Sequence, residues 1–166
     1  MTPQSSAAQC DRVARELERL GFRDDPFDPA PLLRSFEGGY VRFHNTKARR
    51  LLRAREDFPA IDAMLDADAS DRDVRNALSD RVHGLGMKEA SHFLRNIGRT
   101  HVTIIDRHIL RNLVRLGVID HAAHPASKRQ YLEIEALFDE VARDMNIPVD
   151  AFDLLLWRRE TGFILR

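Results

Sequence analysis

Two glycines separated by one apolar residue, Gly84-Leu85-Gly86, constrain the fold of this chain most strongly. Apolar residues recur at helical spacing on both sides of them, over residues 74–82 and 90–97. Glycine permits backbone conformations and close approaches that other residues disfavour. The pattern therefore predicts two helices joined by a tight turn, with Lys88 at the start of the second helix.

Further apolar patterns predict more helices and almost no sheet. Helical spacing recurs over residues 10–20, 46–56, 58–65, 106–116, 131–145 and 148–161. Asn45 or Thr46 is the expected N-cap of the second of these helices. Residues 24–39 hold three prolines and two glycines, which predicts an irregular connection, and residues 101–105 are β-like but short. We predict an all-α bundle of seven or eight helices.

Length and composition restrict the class of protein. The chain has 166 residues, of which 43% are hydrophobic and 31% charged, so it is long enough for one domain with a core. It has no apolar run long enough to span a membrane and no signal-peptide pattern at its start. Cys10, the single cysteine, excludes an intrachain disulfide and any site built from several thiolates. We expect an intracellular protein without a metal or other cofactor.

The net charge of zero hides a strong segregation of charge. Residues 41–55 hold six basic residues and no acid, residues 56–80 hold eight acids and two arginines, and residues 81–115 hold seven basic residues and two acids. Basic segments of this kind favour phosphate binding, and Arg42, Lys47 and Arg49 are candidate contacts. Solvated helix faces of alternating sign are the other interpretation.

The glycine turn is a candidate nucleic-acid contact. Gly84, Leu85 and Gly86 would present successive N–H groups to a phosphate, and the helix that follows adds the partial positive charge of its N-terminus. An ordinary helix–helix turn is the alternative, although one glycine would suffice for it. Two glycines favour the phosphate-binding interpretation.

Lys88 and Asp106 are candidates for catalysis. The chain uses arginine 23 times and lysine three times, so a lysine beside the turn is unusual for this sequence. A lysine amine can form an imine, whereas an arginine guanidinium cannot. Asp106 stands where the helix of residues 107–116 should begin, as an N-cap. Its carboxylate could also accept a proton or stabilise positive charge on a sugar ring.

These motifs resemble a known family. Gly-Leu-Gly-Met-Lys-Glu-Ala-Ser-His-Phe-Leu-Arg-Asn at 84–96, followed by Ile-Ile-Asp-Arg-His-Ile-Leu-Arg at 104–111, is similar to the type-2 8-oxoguanine DNA glycosylase/AP lyases. These are prokaryotic members of the helix-hairpin-helix glycosylase superfamily. Residues 41–48 and 157–166 are also similar to that family. The resemblance implies an all-α HhH-GPD-like fold, with the glycosylase domain at 40–166. An N-terminal helix and a Pro/Gly-rich connection would occupy 1–39 of a single compact domain.

The resemblance also implies an activity in base-excision repair. Lys88 would attack C1′ of a flipped 8-oxoguanine nucleotide, and the resulting Schiff base would permit β-elimination, with Asp106 as the essential aspartate. Trp157 would stack on the damaged base, Arg166 would contact it at the C-terminus, and Phe43 would be the opposing aromatic residue. The expected partner is double-stranded DNA containing 8-oxoguanine or abasic sites. The expected enzyme is a monomer without cofactor in the prokaryotic cytoplasm.

Two other functions stay open at this point. The chain could be a non-catalytic helix-hairpin-helix module that only binds DNA, or a glycosylase for another damaged base. Relatives that act on oxidised pyrimidines usually carry a four-cysteine cluster, which this chain cannot build. The family usually has further helices before the basic segment, and residues 1–39 show little that matches them. We therefore expect a chain shortened on its N-terminal side, with a less complete pocket wall.

Overall fold

The computed structural model describes residues 5–162, and within them the chain forms nine α-helices and no β-strand. The helices are α1 (Ala7–Arg19), α2 (Ala30–Arg34), α3 (His44–Glu56), α4 (Phe58–Asp66), α5 (Asp71–Arg81), α6 (Met87–Asn96), α7 (Arg107–Arg115), α8 (Lys128–Asp144) and α9 (Val149–Thr161). The all-α prediction is confirmed. The helix beyond the predicted seven or eight is α2.

The short helix α2 lies inside residues 24–39, where an irregular connection was expected, so that prediction is wrong there. Proline lacks an N–H donor, but the first turn of a helix does not need one. Pro29 holds the N-cap position and Pro31 lies in the first turn. Asp28 Oδ1 also accepts a hydrogen bond from the Ala30 amide at 3.0 Å. These prolines therefore start a helix instead of preventing one.

The start of α3 also differs from expectation. Asn45 and Thr46 were the expected N-caps, but both lie inside the helix, and Phe43 holds the N-cap position. Phe43 has a φ of 58° and a ψ of 34°, which is the left-handed region. A bulky residue is uncommon there and costs free energy. Phe43 is therefore a point of backbone strain inside the basic segment of residues 41–55.

The described chain divides into two compact units. The first comprises residues 5–63 and 82–84, and the second comprises residues 64–81 and 85–162, so that α4 is shared between them. The core of the first unit is formed by α1, α2 and the segments that flank them. Its buried members are Cys10, Val13, Leu17, Phe22, Leu33 and Val41. The predicted boundary between residues 39 and 40 stays a prediction.

The core of the second unit joins α6, α7, α8 and α9. Its buried members are Met87, Ile105, Ile109, Leu110, Leu113, Tyr131, Phe138, Ala142, Phe152 and Leu156. The rings of Phe138 on α8 and Phe152 on α9 are 4.8 Å apart between centroids, which is the usual separation of packed aromatic side chains. Burial of this apolar surface fixes the helices that carry Lys88, Asp106 and Trp157.

A buried ion pair links α5 to α8 within the second unit. Arg75 Nη1 and Nη2 each donate to one carboxylate oxygen of Glu135 at 2.8 Å, and both side chains are inaccessible to solvent. The two parallel bonds are the strongest geometry for an arginine and a carboxylate. Ser91 on α6 adds a neighbouring hydroxyl, 3.4 Å from Arg75 Nη1 and 3.3 Å from the hydroxyl of Tyr131.

Residues 102–105, within the segment 101–105 that was predicted to be β-like, belong to no strand or helix among the described residues. Their buried peptide groups therefore need other partners. The Thr103 amide donates to Glu135 Oε1 at 3.3 Å, and the Thr103 carbonyl accepts from the Tyr131 hydroxyl at 2.8 Å. The Ile105 amide donates to the same hydroxyl at 3.1 Å. Side chains of α8 thus replace a neighbouring strand.

Glu135→Gln should lower the free energy of unfolding by about 3–5 kcal/mol, because it leaves the buried charge of Arg75 uncompensated. Glu133→Gln on the same helix is the matched control, since Glu133 is exposed and lies 3.8 Å from Arg129. That change should have little effect. Urea unfolding followed by circular dichroism measures both. Equal effects of the two substitutions would contradict the role given to the buried pair.

Candidate active site

The predicted hairpin is present between α5 and α6. Ser70 caps α5, because its Oγ accepts from the Asp73 amide at 3.1 Å. Residues 82–86 form the turn, and Gly86 is the N-cap of α6 without any side-chain cap. The first amides of α6 are therefore left for a ligand or for water, and they carry the partial positive charge of the helix terminus.

Gly84 needs to be glycine for two reasons. Its φ is +98°, a conformation that residues with a Cβ rarely adopt. A Cβ built there would also lie 2.6 Å from Cδ of Arg50, which is exposed on α3. The hydrogen of Gly84 thus lets the Arg50 side chain pass over the turn. No local pattern in the sequence indicates the contact of Arg50 with the turn, because 33 residues separate Arg50 from Gly84.

Lys88 lies in the first turn of α6. Its Nζ is 3.2 Å from Oε1 of Glu89, and 42% of its side chain is exposed. Its neighbours Met87 and Ala90 point into the core. Removal from solvent lowers the pKa of His92, and the positive charges of Lys88 and Arg95 lower it further. The amine is thus accessible, beside a carboxylate and one turn before a histidine whose pKa is lowered.

Asp106 is the N-cap of α7, as predicted. Its Oδ1 accepts from the amides of His108 at 2.7 Å and Ile109 at 2.9 Å. The carboxylate is partly exposed, so it is held at a fixed orientation without being closed off from a substrate. Capping and catalysis are compatible here because the two bonds use Oδ1 and the cap requires no movement of the side chain.

Asp153 is a carboxylate that sequence analysis missed. It lies on α9, with 6% of its side chain exposed, and its Oδ2 is 3.1 Å from Nη1 of Arg95 and 3.0 Å from the amide of Ile104. Burial raises the pKa of Asp153 to about 6. The Ile104 amide and Arg95 oppose that rise, while the negative charge of Asp106 adds to it. An acid inside the apolar run 152–157 was the signal available in the sequence.

Trp157 lies on α9, one helical turn after Asp153, and is half-buried. Its carbonyl accepts a hydrogen bond from the hydroxyl of Thr161 at 2.9 Å. Arg166, the expected C-terminal contact to the base, lies outside the described residues. Lys88, Asp106 and Trp157 thus belong to one compact unit, together with Leu85 and Gly86 of the turn.

The other predicted contacts belong to the first unit. Phe43 is 55% exposed, and the guanidinium of Arg42 lies 5.5 Å from the centre of its ring. Arg49 is exposed on α3. Lys47 is buried, however, and its Nζ is 3.0 Å from Oγ of Ser5. Burial lowers the pKa of Lys47, with Arg50 and Arg42 contributing. Lys47 therefore does not share the exposure of its two basic neighbours.

Two negative findings apply to residues 5–162. No group of three or more histidine, cysteine, aspartate or glutamate side chains is arranged to hold a metal ion in this part of the chain. Among the same residues, no helix combines the length and the apolar character needed to cross a membrane. The polar chemistry described above is that of an amine, carboxylates and a hairpin turn.

Known proteins resemble this chain over most of its length. A family model described as 8-oxoguanine DNA glycosylase, Ogg-HhH, matches residues 1–147, which include the first 39 residues that the motifs left out. An 8-oxoguanine DNA glycosylase/AP lyase of Methanocaldococcus jannaschii is 38% identical over 125 residues, covering 75% of this chain and 60% of that protein. The 8-oxoguanine DNA glycosylase/AP lyase of Fusobacterium nucleatum is 39% identical over 137 residues, covering 76% of this chain and 61% of that protein.

A solved structure has the same fold. The crystal structure of the Methanocaldococcus jannaschii 8-oxoguanine glycosylase/lyase in complex with a 15mer DNA containing 8-oxoguanine has a TM-score of 0.82 and 32% sequence identity. The superposition covers 97% of this chain and 76% of the protein chain in that crystal structure. The chain spans about 60% of the length of the curated relatives that it matches. The family match and these identities show that the chain belongs to the helix-hairpin-helix 8-oxoguanine DNA glycosylase family.

Proposed function

We propose that this protein is a bifunctional DNA glycosylase/AP lyase of base-excision repair that removes 8-oxoguanine and cleaves the abasic strand. The observation that carries the proposal is the accessible amine of Lys88 directly after the hairpin turn, in the same compact unit as the fixed carboxylate of Asp106. The named activity of the relatives supports it. The enzyme would act on duplex DNA as a monomer, in the cytoplasm of a prokaryote.

The proposed reaction begins with nucleophilic attack. Lys88 Nζ bonds to C1′ of the flipped nucleotide, the bond from C1′ to the base breaks, and the base leaves with the bonding electrons. Opening of the sugar ring gives a Schiff base between Lys88 and C1′. Loss of a proton from C2′ then expels the 3′ phosphate by β-elimination. The attack requires a neutral amine, for which Glu89, 3.2 Å away, and Asp106 are the candidate proton acceptors.

DNA binding is proposed to involve the hairpin and the exposed arginines. The amides of residues 84–86 and the N-terminus of α6 would contact phosphates. Arg42, Arg49 and Arg50 are exposed and would add positive charge. Lys47 would support α3 from inside the first unit, because its amine bonds to Ser5.

Base recognition is proposed to use aromatic faces. A flipped purine loses its stacking in the duplex, and aromatic side chains compensate for that loss. Trp157 and the exposed Phe43 are the candidates for stacking, and Arg166 is the candidate for a further contact to the base. The strain at Phe43 supports this role, since strained backbone is concentrated at functional positions.

One observation favours a second candidate function, a non-catalytic helix-hairpin-helix module. The Glu89 carboxylate lies 3.2 Å from the Lys88 amine, so Lys88 can be one partner of a surface ion pair without any chemical role. Such a module would bind DNA with a strong dependence on salt and no dependence on a lesion. Excision of a base other than 8-oxoguanine would instead show in the substrate range of an active enzyme.

Lys88→Gln should abolish the covalent complex that borohydride traps between the protein and duplex DNA containing 8-oxoguanine, because reduction fixes only an imine. The chain has three lysines, Lys47, Lys88 and Lys128, so few side-chain amines could form the imine. Lys128→Gln is the control. Lys128 is the first residue of α8 and its Nζ donates to Asp80 of α5, so this substitution should leave trapping unchanged. Denaturing electrophoresis measures the adduct. An adduct that requires Lys47 and survives Lys88→Gln would contradict the assignment.

Asp106→Asn should separate capping from catalysis. Asparagine caps a helix about as well as aspartate, whereas alanine costs about 1 kcal/mol. Urea unfolding should therefore show Asp106→Asn close to the wild type and Asp106→Ala less stable. Both variants should lose about 10²–10⁴-fold in the single-turnover rate of excision, because both lack the carboxylate. A wild-type rate for Asp106→Asn would show that Asp106 is a cap without a chemical role.

Phe43→Asn and Phe43→Ala should separate strain from stacking. Both remove the ring, so both should lose preference for 8-oxoguanine duplex over undamaged duplex. Asparagine tolerates the left-handed region, and Phe43→Asn should be more stable than Phe43→Ala by about 1 kcal/mol. Filter binding and urea unfolding provide the two measurements. Unchanged lesion preference in both variants would remove Phe43 from the site.

A further inference from the structure

The carboxylate of Asp153 contacts the chain segments that carry the three candidate residues of the second unit. It lies on α9, the helix of Trp157. Its Oδ2 is 3.1 Å from Arg95 Nη1 on α6, the helix of Lys88. The same oxygen accepts from the amide of Ile104 at 3.0 Å, two residues before Asp106. One buried oxygen therefore joins three elements that are far apart in the sequence.

We call the contacts of Asp153 with Arg95 and with the Ile104 amide the joint. Arg95 adds further hydrogen bonds to it. Its Nη1 also donates to the Val102 carbonyl at 3.4 Å, and its Nη2 donates to the Asp150 carbonyl at 3.3 Å. The guanidinium thus connects α6 both to Val102 and to Asp150 in the first turn of α9. Because the guanidinium is planar and its donors are fixed in direction, these bonds specify an orientation as well as a distance.

On each of the three elements, the residue of the joint lies a short distance along the chain from a candidate site residue. Arg95 follows Lys88 by seven residues, which is about two helical turns on one face of α6. Trp157 follows Asp153 by four residues, which is about one turn of α9. Ile104 is separated from Asp106 by a single residue. No flexible loop lies between the joint and any of the three.

Stability alone does not account for this arrangement. Burial of a carboxylate and a guanidinium costs solvation free energy, and well-packed apolar residues would often be as stabilising. The raised pKa of Asp153 is a sign of that cost. Hydrogen bonds from Arg95 and from the Ile104 amide to one carboxylate oxygen fix the direction of the contact between these groups. An apolar contact does not fix a direction.

We propose that Asp153, together with Arg95, is a positioning residue that holds Lys88, Asp106 and Trp157 in the register needed for attack on C1′. The inference rests on the proposed glycosylase/lyase function. Neither side chain needs to touch the substrate, since both act through the elements that they connect.

The test compares chemistry with binding in the full chain. Asp153→Asn keeps an oxygen for the Ile104 amide but removes the charge opposite Arg95. Arg95→Lys keeps a positive charge but cannot make the same set of bonds, and it tests the joint if Asp153→Asn does not fold. Glu160→Gln is the matched control, because Glu160 also lies on α9 but its ion-pair partners are Arg115 and His108 of α7, not Arg95 or the Ile104 amide.

Two quantities are measured at a temperature where circular dichroism shows each variant folded. The first is the single-turnover rate at which borohydride traps the adduct on a duplex with an abasic site. The second is the Kd for a duplex with tetrahydrofuran, an abasic analogue that cannot form an imine. We expect the rate to fall about 10²-fold in both joint variants, with Kd within about threefold of wild type, because a displacement of about 1 Å affects chemistry far more than binding.

The outcomes are distinct. An unchanged rate in the joint variants would overturn the inference, and so would an equal loss in Glu160→Gln or a rate loss matched by the loss in Kd. A wild-type protein that forms no adduct would overturn the proposed function and this inference with it. A wild-type adduct that Asp153→Asn leaves unaffected overturns the positioning role alone.

Discussion

The buried peptide groups of residues 102–105 impose the strongest physical requirement on the second unit. A buried segment outside any helix or strand must find partners for its amides, because an unbonded buried amide costs about as much as a lost hydrogen bond. Glu135, Tyr131 and Asp153 supply those partners, to Thr103, Ile105 and Ile104 respectively. Glu135 and Asp153 then require arginines of their own, since a buried carboxylate without a counter-charge is costly. Arg75 and Arg95 provide these counter-charges in the second unit.

The candidate site is built at the edges of this network. Asp106 ends the bonded segment and caps α7, so the hydrogen bonds that satisfy the backbone also fix its carboxylate. Lys88 lies in the first turn of α6, the helix that supplies Ser91 and Arg95 to the network. Lys88 and Asp106 thus stay partly exposed, while the charged side chains bonded around their elements are buried. This separation lets a substrate approach without disturbing the bonds that set the geometry.

Local patterns made much of this predictable, and their failures have local causes. The glycine turn, the periodicity of the helices and the cap at Asp106 depend on residues near one another in sequence, so the sequence contains the complete signal. The helix α2 was missed because prolines that start a helix resemble prolines that break one. The N-cap of α3 was misplaced because Phe43 holds that position in the left-handed region, a conformation that a bulky residue disfavours and that the sequence gives no reason to expect.

The sequence by itself determined the class of fold, the hairpin with Lys88 after it, and the family, because these depend on local spacing and on a contiguous motif. Tertiary structure alone decided which charged residues are accessible. Lys47 and Arg49 belong to one basic segment, yet one is buried against Ser5 and the other is exposed. It also decided that Asp153, Arg95 and Ile104 meet, and that Arg50 crosses Gly84. Such contacts join residues tens of positions apart, and a helical period records which face a residue occupies but not what that face meets.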